Sequence, residues 1–225
     1  SACPVLESAA AADRCLLVDE QGQVIDGDQI MGVLALDMQR RGALKGGVVA
    51  TVLSNLGLKT FLKAHGIAMA ATKVGDRFVL EQMQRDGWNI GGEQSDYVIL
   101  TDHATTGDGE LTAVTFLQVL KQSGKKASEL AGQIEKFPQV MINVPVPNDQ
   151  KKTVGDLPEV QAVGQEIAAL FGEKGRILIR PSGTEALVRV MVEGQEEALV
   201  RQMAERQNDL RVPSELVPRC PRCGA

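Results

Sequence analysis

Short apolar runs along the chain alternate with stretches whose apolar positions recur every three to four residues, the signature of strands interleaved with amphipathic helices. Residues 15–19 form the first run; Glu20, Gln21, Gly22 and Gln23 end it in a turn, and Val24-Ile25 follows, which predicts a hairpin. From 29 to 42, Ile30, Met31, Leu34, Leu36 and Met38 fall at helical spacing before Arg40, Arg41 and Gly42 close the segment. Residues 48–52 read as a buried strand, 56–65 as a helix ended by Gly66, and 67–71 as another strand. A loop of Lys73-Val74-Gly75-Asp76-Arg77 precedes a helix over 78–85, and Tyr97-Val98-Ile99-Leu100 is a further strand. Asp108-Gly109 opens a long helix to about residue 122, with Leu111, Val114, Leu117, Val119 and Leu120 as its apolar face. This order predicts an α/β fold, a mixed sheet with covering helices.

The rhythm changes near Phe137-Pro138, and a domain boundary is placed at 132–138, where the composition turns polar. Beyond it, 140–146 is extended, 160–171 helical, 176–180 and 187–192 are strands, and 195–208 is helical. That β-α-β-β-α order predicts a small two-layer α+β domain.

A length of 225 residues accommodates one large domain or two ordinary ones, and 44% hydrophobic with 24% charged residues is the balance of a globular chain with a sizeable core. Aromatic residues make up only 3%, which removes the stacking platforms of single-stranded nucleic-acid binders. The net charge of -5 argues the same way, so nucleic acid is not an expected partner and any phosphate recognition is local. No run approaches the roughly 20 apolar residues that span a bilayer, and no basic-then-apolar leader is present, so the expected location is the cytoplasm. The first residues, Ser-Ala-Cys, are consistent with processing, trimming or a fragment.

The strongest local signal is Arg180-Pro181-Ser182-Gly183-Thr184-Glu185 at the end of a strand. A planar guanidinium suits a phosphate bidentately, and Ser182, Gly183 and Thr184 add two hydroxyls and approachable backbone N–H groups. A plain hairpin turn built from Pro, Ser and Gly is the alternative; the flanking Arg189 and the position between two strands favour an anion cradle. In Gly91-Gly92-Glu93-Gln94-Ser95, two glycines let backbone approach a ligand, and Glu93 and Ser95 point one carboxylate and one hydroxyl the same way. Lys73 and Arg77 flank a glycine turn that reads equally as a solvated loop with Asp76 as helix N-cap. Thr105-Thr106-Gly107-Asp108-Gly109 reads as turn and capping chemistry. His65 and His103 lack partners at metal spacing and are expected on the surface. Cys220 and Cys223 look like one knuckle of a zinc ribbon whose second pair is absent, Cys3 and Cys15 being wrongly spaced.

Taken in order, Val24-Ile25-Asp26-Gly27-Asp28, Val49-Ala50-Thr51-Val52-Leu53-Ser54-Asn55, Thr72-Lys73-Val74-Gly75-Asp76-Arg77, Gly92-Glu93-Gln94-Ser95, Thr106-Gly107-Asp108-Gly109 and Arg180-Pro181-Ser182-Gly183-Thr184-Glu185 resemble the second half of the phosphohexomutase superfamily, and its bacterial phosphoglucosamine mutases in particular. The resemblance covers about residues 13–205. It implies interconversion of glucosamine 6-phosphate and glucosamine 1-phosphate, on the route to cell-wall precursors, by four domains: one with a phosphoserine, one with a magnesium loop, one with the sugar loop and one with the phosphate loop. It further implies that Glu93 and Ser95 hold sugar hydroxyls and that Lys73 lies near the reacting groups. Arg180, Ser182, Gly183 and Thr184, beside Arg189, would hold the non-reacting phosphate of a phosphorylated hexosamine. The domains implied are 1–28 as a remnant of the metal-loop domain, 29–135 for sugar, 136–210 for phosphate, and 211–225 as an irregular tail.

The departures are specific. Where the family carries three metal-binding aspartates, this chain reads Ala9-Ala10-Ala11-Ala12-Asp13-Arg14, leaving Asp13 alone, too few oxygen ligands for magnesium. No phosphoserine segment lies within the 225 residues. Asp96-Tyr97 stands where the family has Gly-His, and Ala186 replaces a proline. The expectation is a fragment or degenerate member that keeps phosphosugar binding with little activity, completed by a separately encoded N-terminal half where one exists. The alternatives are a non-catalytic phosphosugar-binding or regulatory module, or a sister mutase acting on mannose or glucose phosphates.

Overall fold

A computed structural model describes residues 5–8, 12–151 and 153–208, some of them by backbone alone. The expected tail at 211–225, Cys3, Cys220, Cys223 and Ala9 to Ala11 lie outside the described residues. The chain divides into two compact units, Ser1–Lys136 and Phe137–Ala225.

The first unit opens with a three-stranded antiparallel meander, β1 (Val5–Ser8), β2 (Cys15–Val18) and β3 (Val24–Ile25). Helix α1 (Gly27–Arg40) follows, its start fixed by a capping box: the Asp26 carboxylate accepts from Gln29 N while the Gln29 side chain accepts from Asp26 N. Next come β4 (Gly47–Thr51), α2 (Leu56–Ala64), β5 (Ala68–Thr72), α3 (Asp76–Asp86), β6 (Ile90–Glu93), β7 (Tyr97–Leu100), α4 (Gly109–Ser123) and α5 (Ala127–Ala131). Their sheet has the order β5-β4-β6-β7, with β5, β4 and β6 parallel and β7 antiparallel at the edge.

Side-chain alternation along these strands builds three layers. Val48, Ala50, Ile90, Val98 and Leu100 join Ile30, Leu34, Leu58, Leu62 and Phe116 in the core under α1, α2 and α4. Val49, Ile99 and Tyr97 face the other way, onto Val79 and Met83 of α3. Strand β4 is thus buried on both faces, which is why its sequence is a continuous apolar run.

Three expectations need correction. Gly91, Gly92 and Glu93 are strand, not loop. The glycines hide the strand's pattern because the packing allows nothing larger: a Cβ on Gly92 would lie 2.2 Å from Tyr97 O, and one on Gly91 2.7 Å from Val49 O. Asp76 is the first residue of α3 rather than its cap, which is Gly75 at φ 129°. On α4 the buried positions are Thr112, Ala113, Phe116 and Val119, while Val114 is 64% exposed. Thr112 tolerates burial because its hydroxyl donates to Asp108 O at 2.6 Å, and this rotates the buried stripe toward Phe116.

The second unit is β8 (Gln139–Pro145), α6 (Pro158–Phe171), β9 (Gly175–Pro181), β10 (Leu187–Gly194) and α7 (Glu197–Asn208). Its antiparallel sheet runs β8-β10-β9, and Ile177, Ile179, Val190 and Val192 meet the helices on one face. This is the two-layer α+β arrangement that the sequence predicts.

Candidate functional site

The candidate residues fall into two groups, one in each unit. In the first, parallel β4, β5 and β6 bring their carboxyl ends to one edge of the sheet. The chain leaves β4 for β5 on one side and later returns to β6 on the other. Loops at such a reversal enclose a crevice outside the carboxyl ends, where ligands of open α/β sheets bind. Glu93 is the last residue of β6, and its Oε1 accepts the Gly75 N–H at 2.9 Å. The Ser95 hydroxyl reaches Glu93 Oε2 at 3.5 Å. One carboxylate therefore ties the loop that carries exposed Lys73 to the loop that carries Ser95.

The rear of this loop is fastened by residues to which the sequence reading gave no such part, Asp96 standing there only as a departure from the family and Gly27 only as a motif residue. Gly27 N donates to Asp96 Oδ1 at 2.9 Å and to Gln94 O at 3.2 Å, Arg14 Nη1 to Ser95 O at 3.3 Å, and Cys15 N to Asp96 O at 3.0 Å. Position 27 has to be glycine, since a Cβ there would lie 2.2 Å from Glu93 O. Asp96 itself adopts φ 69°, a left-handed conformation that Asp tolerates better than most residues. Burial pushes its carboxyl up to about 6; the Gly27 N–H opposes this, Asp26 adds to it, and Arg14 and Lys136 oppose it. Tyr97 is buried, and its hydroxyl accepts from Gly107 N at 2.8 Å and bonds the Thr106 hydroxyl at 3.0 Å. Asp108 caps α4 by accepting from Leu111 N, and both His65 and His103 are exposed, as the sequence predicts.

Asp13 lies in the first unit, next to Arg14. Among the described residues no group of three His, Cys, Asp or Glu side chains could hold a metal ion. The described residues do not assemble a magnesium site of that kind. Among the same residues no helix is long and apolar enough to cross a membrane.

In the second unit, the β9–β10 ladder carries the other group. Arg180 and Arg189 are direct cross-strand partners, two like charges on one rung, an arrangement that is destabilising unless an anion joins them. Four residues along the same strands, Arg176 faces fully buried Glu193 and pairs with it at 2.6 Å. The Arg180 guanidinium has no carboxylate or carbonyl partner among the described residues. Burial first, and the Arg189 charge second, push its pKa down. Gly183 and Thr184 are exposed at the tip of the hairpin. Ser182 is buried: its N–H donates to Leu187 O at 2.9 Å and its hydroxyl accepts from Glu185 N at 3.2 Å, so it shapes the loop from beneath. Two further residues belong to this site, Glu185, which pairs with Arg189 at 2.7 Å, and Lys151, whose Nζ donates to Glu185 O at 3.2 Å. The loop motif includes Glu185 but gives no sign of its pairing with Arg189, and Lys151 lies outside the motif.

Residues 26–137 match the family model of phosphoglucomutase/phosphomannomutase, alpha/beta/alpha domain III, and residues 141–210 match that family's C-terminal domain. The phosphoglucosamine mutase of Caldanaerobacter subterraneus subsp. tengcongensis is 48% identical over 200 residues, 88% of this chain and 45% of the relative. That of Ruminiclostridium cellulolyticum is 50% identical over 195 residues, 86% of this chain and 43% of the relative. The chain thus spans a little under half the length of the curated relatives it matches. Among solved structures, Aspergillus fumigatus N-acetylphosphoglucosamine mutase in complex with GlcNAc-6P and magnesium aligns with a TM-score of 0.73 at 20% identity, covering 92% of this chain and 48% of that one. An N-acetylglucosamine-phosphate mutase in its product complex gives 0.73 at 20% identity, covering 94% and 50%. At these identities the likeness is one of fold.

Proposed function

The chain belongs to the phosphoglucomutase/phosphomannomutase family, and on that premise we propose that its two units are the sugar-holding and phosphate-holding parts of a phosphoglucosamine mutase. Glu93 and Ser95 take hydroxyls of a glucosamine phosphate, Glu93 accepting and Ser95 donating. Lys73, tied to them through Gly75 and Glu93, supplies positive charge near the reacting phosphoryl group. Arg180, Arg189, Gly183 and Thr184 grip the phosphate that does not react, with Ser182 fixing the loop's shape. Such residues contribute by positioning and by preset electrostatics. Phosphoryl transfer also needs a phosphoserine and a carboxylate set for magnesium, and of the latter this sequence offers Asp13 alone. In this reading the 225 residues hold phosphosugar in the cytoplasm with little turnover of their own, and a separately encoded N-terminal half, where one exists, supplies the missing groups.

The observation that carries this reading is the Arg180–Arg189 rung, on which Arg180 has no counter-charge of its own among the described residues. Calorimetry with glucosamine 6-phosphate tests it. Saturable binding is expected, and Arg180→Ala should abolish it while leaving the circular dichroism unchanged. Absence of binding defeats the phosphate assignment. Conversion of glucosamine 1-phosphate, in the presence of a hexose bisphosphate, at the rate of a full-length mutase defeats the claim that catalysis needs the missing half.

A further inference from the structure

Arg180 faces Arg189 with no counter-charge of its own, whereas Arg189 already holds an anion, and that anion belongs to the loop. The Glu185 carboxylate takes Arg189 Nη2 at 2.7 Å. Its hold on the guanidinium is single, because Arg189 Nε is buried without a hydrogen-bond partner among the described residues. A phosphate can engage Nε and Nη2 along one edge of a guanidinium with two oxygens and bridge to Arg180 with a third. The Glu185 carboxylate competes with it for Nη2 and for the charge of the guanidinium.

The backbone around Glu185 is held independently of that side chain. Its N–H donates to the Ser182 hydroxyl at 3.2 Å, and its carbonyl accepts from Lys151 Nζ at 3.2 Å. The carboxylate can therefore swing away without unravelling the loop, and at 56% exposure it has open solvent to swing into.

We propose that Glu185 is a built-in competing anion: it pairs with Arg189, and phosphate enters by displacing it. The inference rests on the phosphate-site reading above and adds to it that the loop sets its own affinity. Exposed ion pairs are weak, so the restraint is modest by design: the carboxylate quiets the arginine pair without blocking a dianion.

The test is calorimetry with inorganic phosphate and with glucosamine 6-phosphate on the wild-type chain, Glu185→Gln, Arg189→Ala and the double variant. Glu185→Gln should bind phosphate about three- to tenfold more tightly, the effect of releasing an exposed pair and removing one repelling charge. That gain should vanish in the Arg189→Ala background, a coupling that a purely structural role for Glu185 would not produce. Glu185→Ala, with its melting temperature measured alongside, should reproduce the gain and guards against an effect peculiar to glutamine. Unchanged or weaker binding by both Glu185 variants overturns the inference, as does a gain that persists without Arg189. Phosphate binding that survives Arg180→Ala instead strikes the phosphate-site reading, and the inference falls with it.

Discussion

Asp96 offers the sharpest quantitative prediction. Its carboxyl titrates near 6 in the folded chain against an ordinary value of 3.8, and burial is the chief cause. Between these values the folded state keeps a proton that the unfolded state has released, so stability falls as pH rises through that window. The penalty is absent below about pH 4 and complete above about pH 7. At 1.36 kcal/mol per pH unit the gap amounts to roughly 3 kcal/mol. The carboxyl is only half buried, and solvent screening reduces this to about 1–2 kcal/mol. Asp96→Asn removes the charge while keeping an acceptor for Gly27 N, and Asn is at ease at φ 69°. The variant should therefore be more stable than wild type by about 1–2 kcal/mol at pH 7.5, with only about a third of that difference left at pH 4.5. Urea unfolding followed by the fluorescence of Trp88, the only tryptophan and a member of the same unit, measures both differences. An equal change at the two pH values, or a loss of stability at pH 7.5, would refute the reasoning.

Other outcomes follow from the same contacts. Gly27→Ala forces a Cβ against Glu93 O and should cost about 2–3 kcal/mol in the same urea assay, with weaker binding of glucosamine 6-phosphate. Glu193→Ala strips the buried partner from Arg176 and should destabilise the second unit by about 3 kcal/mol, visible as an earlier calorimetric transition that leaves the Trp88 transition in place. Burial, helped by Asp96, pushes the Cys15 thiol up to about 11, so iodoacetamide at pH 8 followed by peptide mapping should find Cys15 unmodified until urea is added.

Much of this architecture was legible because apolar periodicity reports burial directly. Strand β4 and the helices around it were readable from residues such as Val48, Ile30 and Leu34, whose spacing has no other use. The pattern failed where packing demanded absence of side chain: Gly91 and Gly92 are central strand residues that look like loop. It failed again on α4, where a local hydroxyl bond let Thr112 take a buried place that hydrophobicity assigns to Val114. For the site, Arg180, Arg189, Glu93 and Ser95 could be named from residue type and spacing. Their supports were not legible as supports: Gly27 and Asp96 were named, but they act through a contact across 69 residues, and Lys151 acts from outside any motif. A single aspartate in a turn carries no mark of the helix N-terminus it will meet 69 residues away.

The buried Arg176–Glu193 pair has a bearing on phosphate at the far end of its ladder. Two strands with a like-charge rung can relieve it by sliding, since a shift of two residues would set Arg180 against Met191 instead of Arg189 while keeping each side chain on its face. Such a slide would drag Arg176 away from a carboxylate that has no access to water. The ion pair thus acts as a registration pin. It holds the two arginines opposed from about 14 Å away, four residues along the strand, and keeps the hairpin tip poised for an anion.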